Sequence, residues 1–207
     1  MAPVIVDLAN AVEFVDEAAF HDWLSRHHDH RNEVWVKLHK LSSGRQCITP
    51  RQAIDVALCW GWIDAVRKGL DATSYLQRYT PRRSKSIWSK VNVANVARLM
   101  EAGRMTPHGL KEVEAAQADG RWDRAYANGK GMPIPDDLQA AIDAVPAARQ
   151  MLAALTEQNR FAIAFRVFNM KTEAGRKKKI ETFVAMLARG ETVYPQNAKP
   201  KRCPQGG

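Results

Sequence analysis

Period-two alternation of apolar and polar side chains occurs only between residues 33 and 80, which leaves the chain room for one small sheet. The clearest instance is EVWVKLHK, where Val34, Val36 and Leu38 fall on one face and Trp35, Lys37 and His39 on the other. That is the pattern of a half-buried strand. Trp62 to Lys68 and Ser74 to Thr80 read as two more strands, joined by GLDAT into a hairpin beside the first. The sheet is therefore expected to be antiparallel, with a further edge strand near Pro3 to Val6.

Helix signals account for the rest. Asp16 is placed to cap a helix over Glu17 to His28 that buries Phe20, Trp23 and Leu24. Thr49, Pro50 and Gln52 form a capping box before Ala53, Ile54, Ala57 and Leu58, with Gly61 near the end. Ser86 or Ser89 opens the next helix, closed by Gly103. Thr106 with Pro107 opens another that stops before Gly120. Beyond the polar loop NGKGMPIP, Asp136, Pro146, Thr156 and Thr172 each start a helix, the last ending at Gly190. The expected fold is α+β, with a small antiparallel sheet packed with helices over residues 1–130. An all-helical region over 131–195 packs as part of the same domain, and a disordered Pro/Lys/Gly-rich tail covers 196–207.

At 45% hydrophobic and 26% charged residues the composition is globular. The net charge of +9 favours anionic partners, such as phosphate-bearing small molecules or nucleic acid. Cys47, Cys59 and Cys203 make no disulfide framework and no zinc pattern. No run approaches the roughly 20 apolar residues of a membrane span, and the first residues do not read as a signal peptide. A cytoplasmic location is expected.

Four segments carry a family resemblance: LCWGWID (58–64), YTPRRSKSIWSKVN (79–92), GRMTPHGLKEVEAAQADGRWDRAY (103–126) and RKKKIETFVAMLARGETVYP (176–195). Together they resemble the YdeI/OmpD-associated, or bacteriocin-protection, family over Phe14 to Pro195. Trp60 stands where phenylalanine is expected in that family. The resemblance implies a role in tolerance of antimicrobial peptides, bacteriocins or envelope stress, and it brings no catalytic residue set with it.

The residues themselves point to one basic segment. Arg78, Arg82, Arg83, Lys85 and Lys90 follow one another with no acid between them, and Ser86 and Ser89 lead into a helix. Helix N-termini present unpaired N–H groups to anions, arginine adds a bidentate fork, and Trp88 offers a stacking face. Trp62 and Asp64 complete the candidate ligand site, with Asp64 organising the arginines. Three functions follow from this pattern. The leading one is a non-enzymatic tolerance protein that binds an anionic partner here. The second is an enzyme acting on a small phosphorylated or carboxylated molecule, with Asp64 as general base. The third is a protein-interaction scaffold using an exposed apolar patch around Trp35 or Phe14–Trp23.

The remaining motifs favour structure. His27, His28 and His30 point in divergent directions at a helix end, while His39 and His108 are remote in sequence, so no metal is expected. Phe161, Phe165 and Phe168 recur at helical spacing as a core stripe, and Trp122 and Tyr126 stack together as packing residues. The cations Arg176 to Lys179 fan around their helix. No phosphate-loop, dinucleotide or nucleophile-elbow motif occurs, and no cofactor is expected.

Overall fold

A computed structural model describes Val6, residues 11–127 and residues 132–196. The expected strand residues Pro3 to Ile5, part of the NGKGMPIP loop and nearly all of the tail lie outside the described residues. The chain falls into two compact units, residues 1–125 and 126–207.

The first unit holds a four-stranded sheet in the order β1-β2-β4-β3, formed by β1 (Ala11–Val12), β2 (Val34–His39), β3 (Trp62–Gly69) and β4 (Ser74–Pro81). The alternating stretches became strands with the expected antiparallel pairing of β2 with β4 and of β4 with β3. Among the described residues, the strand at the β2 edge pairs differently from the antiparallel sheet expected. It is β1, and it runs parallel to β2 with Ala11 opposite Trp35. Residues this close to the chain start reach β2 after α1 intervenes, so a parallel pairing is topologically open to them.

Helices α1 (Glu17–His27) and α2 (Pro50–Cys59) supply the apolar cover for one sheet face. Asp16 caps α1 by accepting from Ala19 N at 2.8 Å, and Thr49 and Gln52 close the expected capping box on α2. Phe20, Leu24, Val34, Val36, Leu38, Trp62 and Tyr79 fill the space between helices and sheet. Burying a side chain of this size is worth about 1.5–3 kcal/mol. The opposite sheet face is not left to solvent either, since Trp35 is also buried.

Two further helices, α3 (Lys90–Glu101) and α4 (Pro107–Ala118), pack on the far side of α2 around Leu58, Trp88, Val96, Leu99 and Val113. The start of α4 approaches the end of α2 very closely. A Cβ on Gly109 would stand 2.3 Å from the Cys59 carbonyl oxygen, so only glycine fits there. Thr106 secures the same junction by donating its hydroxyl to that oxygen at 2.6 Å while capping α4. GRMTPHGL is thus a closure between helices as well as helix punctuation. Asp55, buried in α2, takes both oxygens to Arg98 Nη2 of α3, at 2.7 and 2.6 Å.

The elements among the second unit's described residues are helices: α5 (Asp136–Asp143), α6 (Pro146–Ala154), α7 (Glu157–Phe168) and α8 (Glu173–Ala188). Its core joins Leu138, Ile142, Leu152, Ile163, Val167, Phe183 and Leu187. Thr156 and Thr172 cap α7 and α8 as expected. Arg176 opens α8 with two bonds to Asp137, at 2.5 and 2.7 Å, and this pairing holds the Asp137 carboxyl below the usual range.

Candidate functional site

The loop from Arg82 to Ser89 leaves the end of β4 and is fastened from the inside. Arg82 N donates to Gly61 O at 2.9 Å, which ties the loop to the turn between α2 and β3. Ser86 closes a turn on Arg83: its N–H reaches Arg83 O at 2.8 Å, and its Oγ accepts from Arg83 N at 2.9 Å. Arg121 Nη1 then holds Ser86 O at 2.8 Å. Ser89, not Ser86, caps α3, accepting from Asn92 N at 3.2 Å. Only one of the two serines therefore stands at the helix start, and it is itself buried.

The arginines of this segment have separate fates. Arg78 faces Trp35 across the sheet and donates Nε to Glu33 Oε2 at 2.7 Å, and Trp35 Nε1 donates to the other oxygen of that carboxylate. Arg82 is only 7% exposed. Its guanidinium carbon lies 3.5 Å above the Trp88 ring, and Nη1 reaches Ile87 O at 3.4 Å. Arg83 and Lys85 remain exposed, as does Lys90 at the first turn of α3. Among the described residues no carboxylate pairs with these three.

Trp88 does not offer the stacking face that its sequence context suggests. It is 1% exposed, with Arg82 on one face and Trp122 edge-on at 4.9 Å. Trp62 is likewise a core residue, packed edge-on against Trp23 at 6.2 Å. Stacking of a ligand on either ring would require opening the core, so both are scaffold residues.

Asp64 lies opposite Tyr79 in the β3–β4 pairing, so both side chains share the helix-covered face. Burial pushes the Asp64 carboxyl above the ordinary range, partly opposed by its own backbone amide and by the attraction of Arg82. Burial, reinforced by the Asp64 charge, pushes the Tyr79 phenol up as well. The register of β3 shifts between Asp64 and Arg67, so the strand bends where its buried part ends. Of the arginines it was expected to organise, Asp64 feels the charge of Arg82. Arg78 belongs to Glu33, and Arg83 faces outward.

The histidines come together more than their spacing suggests. His28 and His108 have ring centroids 4.0 Å apart, and both lie against Trp60, which ends α2 outside the strand. His27 and His30 share a 3.1 Å hydrogen bond. Among the described residues, no group of three or more possible ligands is placed to hold a metal. Burial raises the Cys59 thiol to about 11, which keeps it protonated in the core.

In the surface expected around Trp35 or Phe14–Trp23, Trp35 and Phe14 are buried and Trp23 is half-buried, while Val15 is exposed. Trp122 and Tyr126 do not stack together: Trp122 packs on Trp88, and Tyr126 on Phe165 at 4.8 Å. Residues 121–124 form a turn, so the helical spacing assumed for that pair does not apply. No helix among the described residues is long and apolar enough to cross a membrane.

Compared with known families, residues 131–190 match the model of the family described as Bacteriocin-protection, YdeI or OmpD-Associated. Residues 12–112 match a domain of unknown function, DUF8412. The resemblance read across the chain is thus supported for its C-terminal part, and the first three segments that suggested it lie outside the matched range. No curated protein and no solved structure matches the chain. The bacteriocin-protection description belongs to that family, which this chain resembles over residues 131–190.

Proposed function

We propose that this chain is a non-enzymatic tolerance protein, working in the cytoplasm, that binds an anionic partner through Arg83, Lys85 and Lys90 at the opening of α3. One observation carries the reading. The loop bearing these cations is pinned from within by Arg82, Ser86 and Arg121, while the cations themselves project outward with no carboxylate partner among the described residues. A fixed backbone lowers the entropy cost of holding three charges for a ligand. Exposed cations lose little solvation when unbound, so they stay available to phosphate groups. The bacteriocin-protection match of the second unit supports the physiological half of the reading.

The site is smaller than its sequence suggests. Arg78 and Arg82 are committed to Glu33 and Trp88, and the buried serine cap belongs to α3. The alternative, Asp64 as a general base, has support in its raised carboxyl. Against it stands the close packing around Asp64, where Trp62, Tyr79 and Arg82 are all buried.

The test is binding of a fluorescent single-stranded oligonucleotide and of a polyphosphate chain at low salt. The triple variant Arg83→Ala/Lys85→Ala/Lys90→Ala should bind both at least about tenfold more weakly, with a salt slope smaller by about 2. Its melting temperature should stay close to that of the parent, since surface substitutions seldom exceed about 0.5 kcal/mol. Unchanged affinity in the triple variant would remove the proposal.

A further inference from the structure

Helix α7 directs its apolar residues two ways. Ile163 and Val167 are fully buried in the core of the second unit. Phe161 and Phe165, expected to form a core stripe, are only half-buried, and Phe168 is 42% exposed. Phe161 and Phe165 sit one turn apart with ring centroids 5.2 Å apart and planes inclined by 26°. Tyr126 meets Phe165 nearly edge-on. The result is an aromatic wall that the helical core does not use.

The facing wall is Tyr194, and a buried amide places it. Asn159, 1% exposed, accepts from Tyr194 N at 2.9 Å and donates to Tyr194 O at 3.0 Å. The same amide donates to Gln196 Oε1 at 2.9 Å, and Gln196 Oε1 accepts from Thr156 N at 3.0 Å. The segment after α8 is therefore locked against the start of α7. Between the walls lies a groove of about 380 Å³, lined by Gln158, Phe161, Ala162, Phe165, Arg166 and Tyr194. Such a volume lies within the range of small-molecule sites, about 300–1,000 Å³.

Arg166 gives the groove its chemistry. Its Nη1 donates to Ala162 O at 3.0 Å and its Nη2 to the Tyr194 hydroxyl at 3.3 Å, with the guanidinium carbon 5.5 Å from the Tyr194 ring. These acceptors are neutral, and no described carboxylate pairs with the cation. A guanidinium has five N–H donors, so most of the fork is unspent. We propose that this groove is a binding site for a planar aromatic carboxylate. The ring lies on the Phe161–Phe165 wall and the carboxylate takes the free donors of Arg166, with the Gln158 amide at the rim.

The two halves of the ligand follow from two costs. A purely apolar ligand would strip water from Arg166 without replacing it, and an unpaired buried charge is expensive. A small aliphatic anion would pair with Arg166 but leave the aromatic wall wet. A phosphate ester calls for more than one cation, and among the described residues that line this groove Arg166 is the one cation. This site does not depend on the cationic loop of the first unit, because all of its residues lie in the second unit.

The experiment is a chemical-shift titration of the ¹⁵N-labelled full-length protein with 1-naphthoate, 1-naphthalenemethanol and cyclohexanecarboxylate. Naphthoate should saturate, with the largest shifts at residues 158–166 and 194. The neutral alcohol and the aliphatic acid should each bind at least about tenfold more weakly. In Arg166→Gln the preference for naphthoate over the alcohol should vanish, whereas Phe165→Leu should weaken both aromatic probes. The parent titration stands without either variant, so a folding defect in one does not decide the matter. Absence of saturation, equal affinity for naphthoate and its alcohol, or shifts confined to residues 83–90 would each overturn the proposal. The last outcome would assign the anion to the cationic loop of the first unit instead.

Discussion

Each unit sets an arginine against an aromatic ring, and the two pairs differ in almost every physical respect. In the first unit, Arg82 lies 3.5 Å above Trp88, both residues are buried, and Trp122 closes the other side. In the second, Arg166 stands 5.5 Å from Tyr194, half-exposed, beside a groove. The first arginine sits in a run of five cations and looks like a ligand-binding residue. The second is one of two arginines flanking the apolar stretch FAIAF of α7 and looks like a core-edge residue. Packing inverts those appearances. A guanidinium sealed onto a tryptophan has already found its partner, whereas one that touches only neutral oxygens can still take a carboxylate.

The largest expected effect tests whether the Arg82–Trp88 stack is scaffold. Trp88→Ala should destabilise the first unit by about 3–5 kcal/mol, because it opens a cavity lined by Leu58, Val96 and Leu99 and strips Arg82 of its cover. Denaturant unfolding followed by tryptophan fluorescence reads this unit selectively, since all six tryptophans precede residue 126. A loss below about 1 kcal/mol would mean that Trp88 is dispensable to the core and free to serve a ligand.

A second effect concerns Asp64, the acid nearest this stack, and its sign can be derived. Burial raises the Asp64 carboxyl above its ordinary value of 3.8 in the folded state. The folded protein therefore keeps that proton at pH values where the unfolded chain has released it. This contribution to stability is complete below 3.8 and is lost as pH rises through the folded value. Above that value both states are ionised and the penalty stays constant. Asp64→Asn cannot ionise, so its stability relative to the parent should rise across that window and then level off. Chemical denaturation of both proteins from about pH 4 to about pH 7 gives the difference curve. A flat difference would show that Asp64 is solvated like a surface acid, and one of opposite slope that a partner holds it ionised. Asp71, Asp119 and Asp137 are held low by hydrogen bonds, to Ser74 and Thr73, Arg121 and Arg176 respectively, and they shape both curves alike.

The elements legible in the sequence are those whose information is local. Val34, Val36 and Leu38 announced β2 through a period that no helix shares. Thr49 with Gln52, Thr106 with Pro107, Thr156 and Thr172 announced helix starts, because each cap bonds a backbone amide three residues away. The α+β class and the helical second part followed from these signals. What stayed hidden depends on partners distant in the chain. Glu33 takes Arg78 across the sheet, His28 meets His108, and Gly109 abuts Cys59, with no spacing rule connecting them. Phe161, Phe165 and Phe168 mislead for a different reason. Helical periodicity shows that they share a face but not which neighbour covers it, and Ile163 and Val167 on the adjoining face take the core. The site suffers from the same limit. Lys85 and Arg83 are exposed and Arg82 is not, although nothing in the run RRSK distinguishes them.

The smallest effect is also the one that separates the two arginines most sharply. A double-mutant cycle between Arg166 and Tyr194, using Arg166→Gln and Tyr194→Leu, should return a coupling of about 0.5 kcal/mol, as for a solvated cation–ring contact. Tyr194→Leu by itself should cost little, because Asn159 holds the backbone of that segment and not its ring. The equivalent cycle between Arg82 and Trp88 should return about 2 kcal/mol, since that pair has lost its water. Comparable couplings would mean that Arg166 is bound to Tyr194 as firmly as Arg82 is to Trp88. It would then have no charge to offer a ligand, and the groove would be a packing defect beside the Asn159 clamp. A weak coupling leaves Arg166 poised, because a guanidinium that gains little from its ring loses little by turning toward a carboxylate.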